Sequence, residues 1–213
     1  MIITALERQK RRQRVNVYGE DGRFLLAVNL ALAQDAGLHS GMELSEAQVE
    51  ALRREDARHQ AYEAALRLLA YRPRSERELR QRLARRGIER PLIEGALARL
   101  RGQGYLDDQA FARFWTETRE ATSPRSRRLI RSELLYKGVS PDAAAAAVAG
   151  VEDDDAAYRA AARRLRSLPL DDFESFRRRL GGFLVRRGFS YDVARRTIDR
   201  CWREARGDPA PPA

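Results

Sequence analysis

Apolar positions recur along this chain with two different periods, and the change of period divides it. In the first thirty residues they alternate: Ile2 to Gln9 and Arg14 to Tyr18 interleave β-branched and polar side chains, and a short apolar run covers Phe24 to Val28. Alternation at a period of two marks strands with one face buried. The tetrapeptide Gly19-Glu20-Asp21-Gly22 between the second and third runs is a turn signal. Asn29 to Ala36 reads as a short helix stopped by Gly37, a second turn follows at Ser40-Gly41, and Ser45 reads as the N-cap of a helix reaching Leu52 or beyond. Three strands this short are marginal alone, so the sheet is expected to lean on that helix.

From residue 60 the period becomes that of a helix, and the chain repeats itself. The segment from Ser75 through Leu79, Leu83 and Gly87 to Ile88 aligns without a gap on Ser126, Ile130, Leu134, Gly138 and Val139. A third copy places Phe176, Leu180, Leu184, Gly188 and Phe189 in the same order. Each aliphatic pair at i, i+4 forms the buried stripe of a central helix. A glycine at C′ in the left-handed conformation brings the residue after it onto the leucine three positions before the cap, which pairs Leu83 with Ile88, Leu134 with Val139 and Leu184 with Phe189. Ser75 and Glu78 form a capping box at the start of the first copy.

Matching apolar positions precede and follow each central helix, so each copy is a three-helix unit. The expected architecture is mainly α: three tandem three-helix units in an elongated curved array, behind a small N-terminal β-containing module. The boundaries are 1–59 for the module, 60–106, 107–151 and 152–206 for the units, and 207–213 for a disordered tail. Residues 60–202 are expected to form nine helices, with Gly87, Gly138 and Gly188 at positive φ.

Charge sharpens this picture. The net charge is +10, and 39 of the 41 basic residues are arginine. Residues 1–59 are neutral, with nine basic and nine acidic side chains, whereas 60–106 carry eleven against five. The surplus therefore sits in the helical units, most of it in the first. Guanidinium suits bidentate contact with phosphate or carboxylate, so the expected partner is polyanionic, a nucleic acid or an acidic protein surface. No apolar run approaches the ~20 residues of a membrane span, no secretory leader is expected, and the single Cys201 fits a reducing compartment. Cytoplasm is the expected location.

Catalytic chemistry finds little support. His39 and His59 lie apart, with no carboxylate or cysteine pattern around them. Asp107-Asp108 and Asp153 to Asp155 read as helix N-termini rather than metal pairs, because a calcium site needs more oxygen ligands at fitting spacing. Gly102-Gln103-Gly104 lacks the rest of either nucleotide-binding fingerprint. Cys201 beside Trp202 on an amphipathic helix reads as core. Tyr105, Phe111 and Trp115 are expected to seal the joint between the first two units, as core rather than as exposed interface anchors. The expectation is a protein with no cofactor and no metal that is not an enzyme.

The segment Gly104-Tyr105-Leu106-Asp107-Asp108, with Phe111, Ala112 and Arg119 after it, resembles the signature of the RecX family, regulators of the RecA recombinase. So do Arg74-Ser75, Glu78-Leu79, Leu83 and Gly87-Ile88, with their second copy ending Lys137-Gly138-Val139. Ile3-Thr4, Leu6-Glu7, Gln9-Lys10 and Asn16-Val17-Tyr18 are similar to the β-module of some members. The resemblance spans residues 2–202 and departs at Leu129, where the capping-box glutamate is missing, at Ser123-Pro124, and at Gly181-Gly182. It implies a monomer that lies in the helical groove of a RecA–DNA filament, contacts single- or double-stranded DNA, and suppresses recombinase and ATPase activity. The residues expected to touch the filament or its DNA are the basic ones that recur in register. Arg77, Arg80, Arg128 and Arg131 lead, because a helical wheel points them away from the leucine stripe. Arg178 is equivalent to Arg77 and Arg128. Arg86, Lys137 and Arg187 close their helices, where a cation also complements the helix dipole. A second reading is a helix-turn-helix-type protein acting on DNA directly, although Asn and Gln side chains suited to base edges are scarce on these helices.

Overall fold

The computed structural model describes residues 1–10 and 13–206; Arg11 and Arg12 of the basic stretch, and the tail 207–213 expected to be disordered, lie outside the described residues. The chain forms two compact parts: Met1–Arg72 with Leu79–Leu106, and Pro73–Glu78 with Asp107–Ala213.

In the first part, β1 (Ala5–Arg8), β2 (Arg14–Tyr18) and β3 (Phe24–Asn29) form an antiparallel sheet in that order. Val15 pairs with Val28 and Val17 with Leu26, and all four are buried, so the alternating side chains make one inner face. Asn29 caps α1 (Leu30–Asp35) by accepting from the Ala31 amide, and Gly37 closes that helix at φ +61°. Ser45 then opens α2 with a complete capping box to Gln48. This helix runs unbroken from Glu46 to Tyr71. The expected boundary at 59/60 therefore falls inside it, and the sheet and the first three-helix unit share α2. Buried Asp56 accepts from Arg14 at 3.1 and 2.8 Å, from the Asn29 amide at 2.8 Å and from Gln60 Nε2 at 2.6 Å. Four bonds on one carboxylate satisfy a charge that burial would otherwise penalise.

The later half of α2, with α3 (Glu76–Ala84) and α4 (Arg90–Gly102), forms the first unit. Ala61, Ala65 and Leu68 pack with Leu79, Leu83, Ile93, Leu97, Leu100 and Leu106. In the second part, α5 (Asp108–Thr122), α6 (Arg127–Tyr136) and α7 (Pro141–Ala147) enclose Phe111, Ile130, Leu134, Val139 and Val148. Next, α8 (Asp153–Leu165), α9 (Phe173–Arg186) and α10 (Tyr191–Arg206) enclose Ala157, Phe176, Leu180, Leu184, Phe189 and Ile198. Nine helices thus contain or follow residue 60 among the described residues, arranged as three units.

The three stop motifs have the expected geometry. Gly87, Gly138 and Gly188 sit at φ +77°, +89° and +87°. The amides of Ile88, Val139 and Phe189 reach back to the carbonyls of Leu83, Leu134 and Leu184 at 3.3, 3.1 and 3.3 Å. The same hydrogen bond, from the amide after the glycine, recurs at Gly37 and at Gly104, so the device also ends helices outside the repeat register. At Gly104 it sends Leu106 inward and leaves Tyr105 61% exposed, which corrects the expectation that Tyr105 is core.

Candidate partner-binding surface

The basic residues that share a register in the sequence have diverged in their surroundings. Arg77 lies in the first turn of α3, with its stem against Gly138 and its guanidinium 5.8 Å from the exposed Tyr136 ring. Arg80 is half-exposed and forks onto Glu94 at 2.7 and 3.1 Å, and this bond, ahead of the Arg80 charge, holds the Glu94 carboxyl below the usual carboxylate range. Arg128 and Arg131 are exposed on α6 and make no ion pair among the described residues. They edge a shallow cleft whose other walls include Leu135, Val148 and Asp154. Their neighbour Arg127 is engaged inward, donating to the Val151 carbonyl at 2.6 and 2.9 Å. Arg178 is exposed on α9.

The set that closes the central helices diverges further. Arg86 is exposed at the end of α3. Lys137 places its ammonium 4.0 Å from the centre of the Trp115 ring, which Arg119 covers at 4.3 Å. Arg187 is turned inward. It donates to Ser123 Oγ at 3.0 Å and to the Pro124 carbonyl at 2.9 Å, and it lies over the Phe183 ring. Burial first, and then the charges of Arg125, Arg163 and Arg119, lower its pKa from the ordinary guanidinium value.

That last cluster escaped the sequence reading. Arg163 caps the carbonyls of Ala121 and Thr122 at 2.7 and 2.6 Å, while Arg119 and Arg125 share the carboxylate of Glu133 with the Trp115 indole N–H. Four guanidinium groups from α5, α8 and the segments beside α6 and α9 thus cluster here, and two of them, Arg119 and Arg125, share one glutamate. Arg163 has no repeat-register partner to flag it.

A second feature missed by the sequence reading is a groove on the first part, along α2 and the start of α4. Arg54, Arg58, Arg67, Arg86 and Arg99 line it, together with Gly87 and Gly95. Arg99 stacks on Tyr62 at 4.0 Å, and the Tyr62 hydroxyl donates to Gln103 at 2.6 Å. It escaped because the sequence reading ended the module at residue 59 and so split α2.

Groups suited to chemistry are engaged structurally. Asp107 caps α5 by accepting from the amides of Gln109 and Ala110, and Asp108 accepts from the Glu76 amide at 3.0 Å. Asp153 accepts from the Arg127 amide and Asp154 pairs with Arg196. The His39 ring nitrogen meets the Gly37 carbonyl at 2.8 Å. Burial pushes the Cys201 thiol up to about 11. Among the described residues no group of three His, Cys, Asp or Glu side chains could hold a metal ion, and no helix is long and apolar enough to cross a membrane.

Three arginine-rich three-helix units thus follow a small antiparallel sheet along the chain. Family models for the first, second and third three-helix domains of RecX match residues 61–100, 107–148 and 152–198 in order. The chain belongs to the RecX family of regulatory proteins. The regulatory protein RecX of Amycolatopsis mediterranei is 35% identical over 153 residues, covering 70% of this chain and 87% of its own. That of Bacillus cytotoxicus is 27% identical over 199 residues, covering 90% and 74%. A crystal structure of regulatory protein RecX superposes with a TM-score of 0.67 at 28% identity, covering 93% of this chain and 98% of the other. RecX from Lactobacillus salivarius shares the fold, with a TM-score of 0.57 over 68% of this chain.

Proposed function

We propose that this protein is a non-enzymatic, cytoplasmic regulator that binds a RecA–DNA filament in its helical groove, as a monomer, and inhibits recombinase and ATPase activity. The observation that carries this reading is the ordered match of all three RecX domains to the three units. Physical support comes from the units themselves, whose surplus of arginine suits a polyanionic partner.

Among the residues in register, Arg128 and Arg131 are the first choice for contact with the filament or its DNA, since both are exposed and unpaired among the described residues. Arg86 and Arg178 are exposed and second in line. Arg77, Arg80, Lys137 and Arg187 each have internal partners, so their loss would mix binding with packing. The test is the DNA-dependent ATPase of RecA with increasing amounts of this protein. Wild type is expected to lower the rate, and the pair Arg128→Glu with Arg131→Glu to inhibit only at concentrations tenfold higher or more, with helicity retained. Unaltered ATPase with the wild-type protein would exclude the reading. If wild type binds bare DNA as tightly as the filament, the helix-turn-helix alternative takes its place.

A further inference from the structure

The three glycine turns are alike in backbone and unlike in what covers them. At Gly138, an added Cβ would lie 2.7 Å from Arg77 Cβ, in the first turn of α3. At Gly188 it would lie 2.6 Å from Ser126 Oγ and 2.7 Å from Leu129 Cβ, in the cap and first turn of α6. Each of these turns is therefore seated against the N-terminus of a serine-capped central helix. The polar contact matches as well. The Ser75 hydroxyl donates to the Lys137 carbonyl at 2.7 Å, and the Ser126 amide donates to the Arg187 carbonyl at 3.0 Å. In both joints the carbonyl just before the glycine accepts from the capping serine. The helix ends also suit each other, since the negative C-terminus of one meets the positive N-terminus of the other.

The Gly87 turn is the third copy, and nothing lies within 4 Å of where its Cβ would be. The Arg86 carbonyl, equivalent to those of Lys137 and Arg187, accepts no hydrogen bond among the described residues. This turn opens onto the groove along α2, where Arg54, Arg86 and Arg99 have no ion-pair partner among the described residues, while Arg53, Arg58 and Arg67 are paired with Glu50, Glu55 and Glu63.

We propose that the Gly87 turn is a docking site for the N-terminus of a Ser-, Thr- or Asp-capped helix of a partner protein, seated as α3 and α6 are seated on the Gly138 and Gly188 turns. The cap of that helix donates to the Arg86 carbonyl. Its first turn carries acidic side chains, as Glu76 and Glu78 do in α3, and these meet Arg54, Arg86 and Arg99. The backbone at residue 87 must be bare because the partner's side chains approach as closely as they do in the other two joints. On the reading above the partner is a RecA protomer, and the inference rests on that reading for this identity.

Two changes to the full-length protein test it against the assembled filament. Gly87→Asn keeps a residue that tolerates the left-handed conformation and adds bulk where the chain itself leaves open space. It should leave the melting temperature unchanged and raise the concentration for half-maximal ATPase inhibition at least tenfold. A benzoylphenylalanine placed at position 86 and irradiated on the filament should crosslink within the first turn of a RecA helix. Wild-type potency of Gly87→Asn, or a crosslink to DNA, to a strand or to a helix interior, would overturn the docking site while wild-type inhibition upholds the regulator. Wild-type protein that does not inhibit at all overturns the proposed function, and this inference with it.

Discussion

At positions 87, 138 and 188 the same residue performs one backbone task in three surroundings, and stability should report the difference. Gly87→Ala meets open space, so it should cost only the left-handed strain of a Cβ, about 1 kcal/mol. Gly138→Ala adds a collision with Arg77 Cβ, and Gly188→Ala one with Leu129, so each should cost about 2–4 kcal/mol, as strain and overpacking combine. Urea titration of the three variants checks the order, and a Gly87→Ala as damaging as Gly138→Ala would refute it. Cys201 offers another residue-scale test. Its thiol ionises in the fold only near pH 11, against 9.0 ordinarily. A folded value raised above the unfolded one favours the neutral thiol. This contribution is complete below pH 9 and is lost as pH rises towards 11. Native protein at pH 8 should therefore resist thiol-specific reagents and become reactive in denaturant; rapid native labelling would contradict the buried packing role.

Among the elements, α2 changes the account most. Its two halves serve different cores: Val49 belongs to the sheet, while Ala61, Ala65 and Leu68 belong to the first unit. Periodicity revealed both halves, but it could not show that no break lies between them, since the charged stretch Arg53 to Gln60 carries no stop signal and no apolar stripe of its own. Because the first unit's cluster lies wholly within residues 61–106, a chain beginning at residue 60 should still fold. Deletion removes Asp56 together with Arg14 and so orphans neither. Hydrogen exchange should find slow amides in α3 and α4 of this truncated protein, and their loss would make the sheet part of the unit's core. Arg14→Ala in the intact chain is harsher. It leaves a buried carboxylate without its cation and should cost about 3–5 kcal/mol by thermal or urea denaturation.

For the molecule as a whole, salt distinguishes the kinds of partner. Each phosphate neutralised on a single strand contributes about −0.7 to the log–log slope of affinity against salt. Binding to bare DNA should therefore fall steeply with salt, and Arg128→Glu with Arg131→Glu should flatten it. Binding to the filament should fall more gently, because carboxylates on a protein surface lack the counterion-release contribution. Equal slopes measured by anisotropy on the two targets would mean that DNA supplies the filament contact as well.

The order of strands and helices, the three stop glycines and the serine caps were legible in the sequence because each depends on residues no more than five apart: an i, i+4 stripe, a C′ glycine, a cap and its third amide. The RecX signature was legible for the same reason, as a string of such local features. The surface was not. Arg77, Arg128 and Arg178 share a register and are all exposed, yet the first lies with its stem against Gly138 and its guanidinium beside the Tyr136 ring. Likewise Arg86 is exposed, Lys137 lies over Trp115, and Arg187, half-buried, bonds to a turn 63 residues away in sequence. A guanidinium can reach several partners from one backbone position. Which one it takes depends on residues brought near by the fold, and only the tertiary structure decides that.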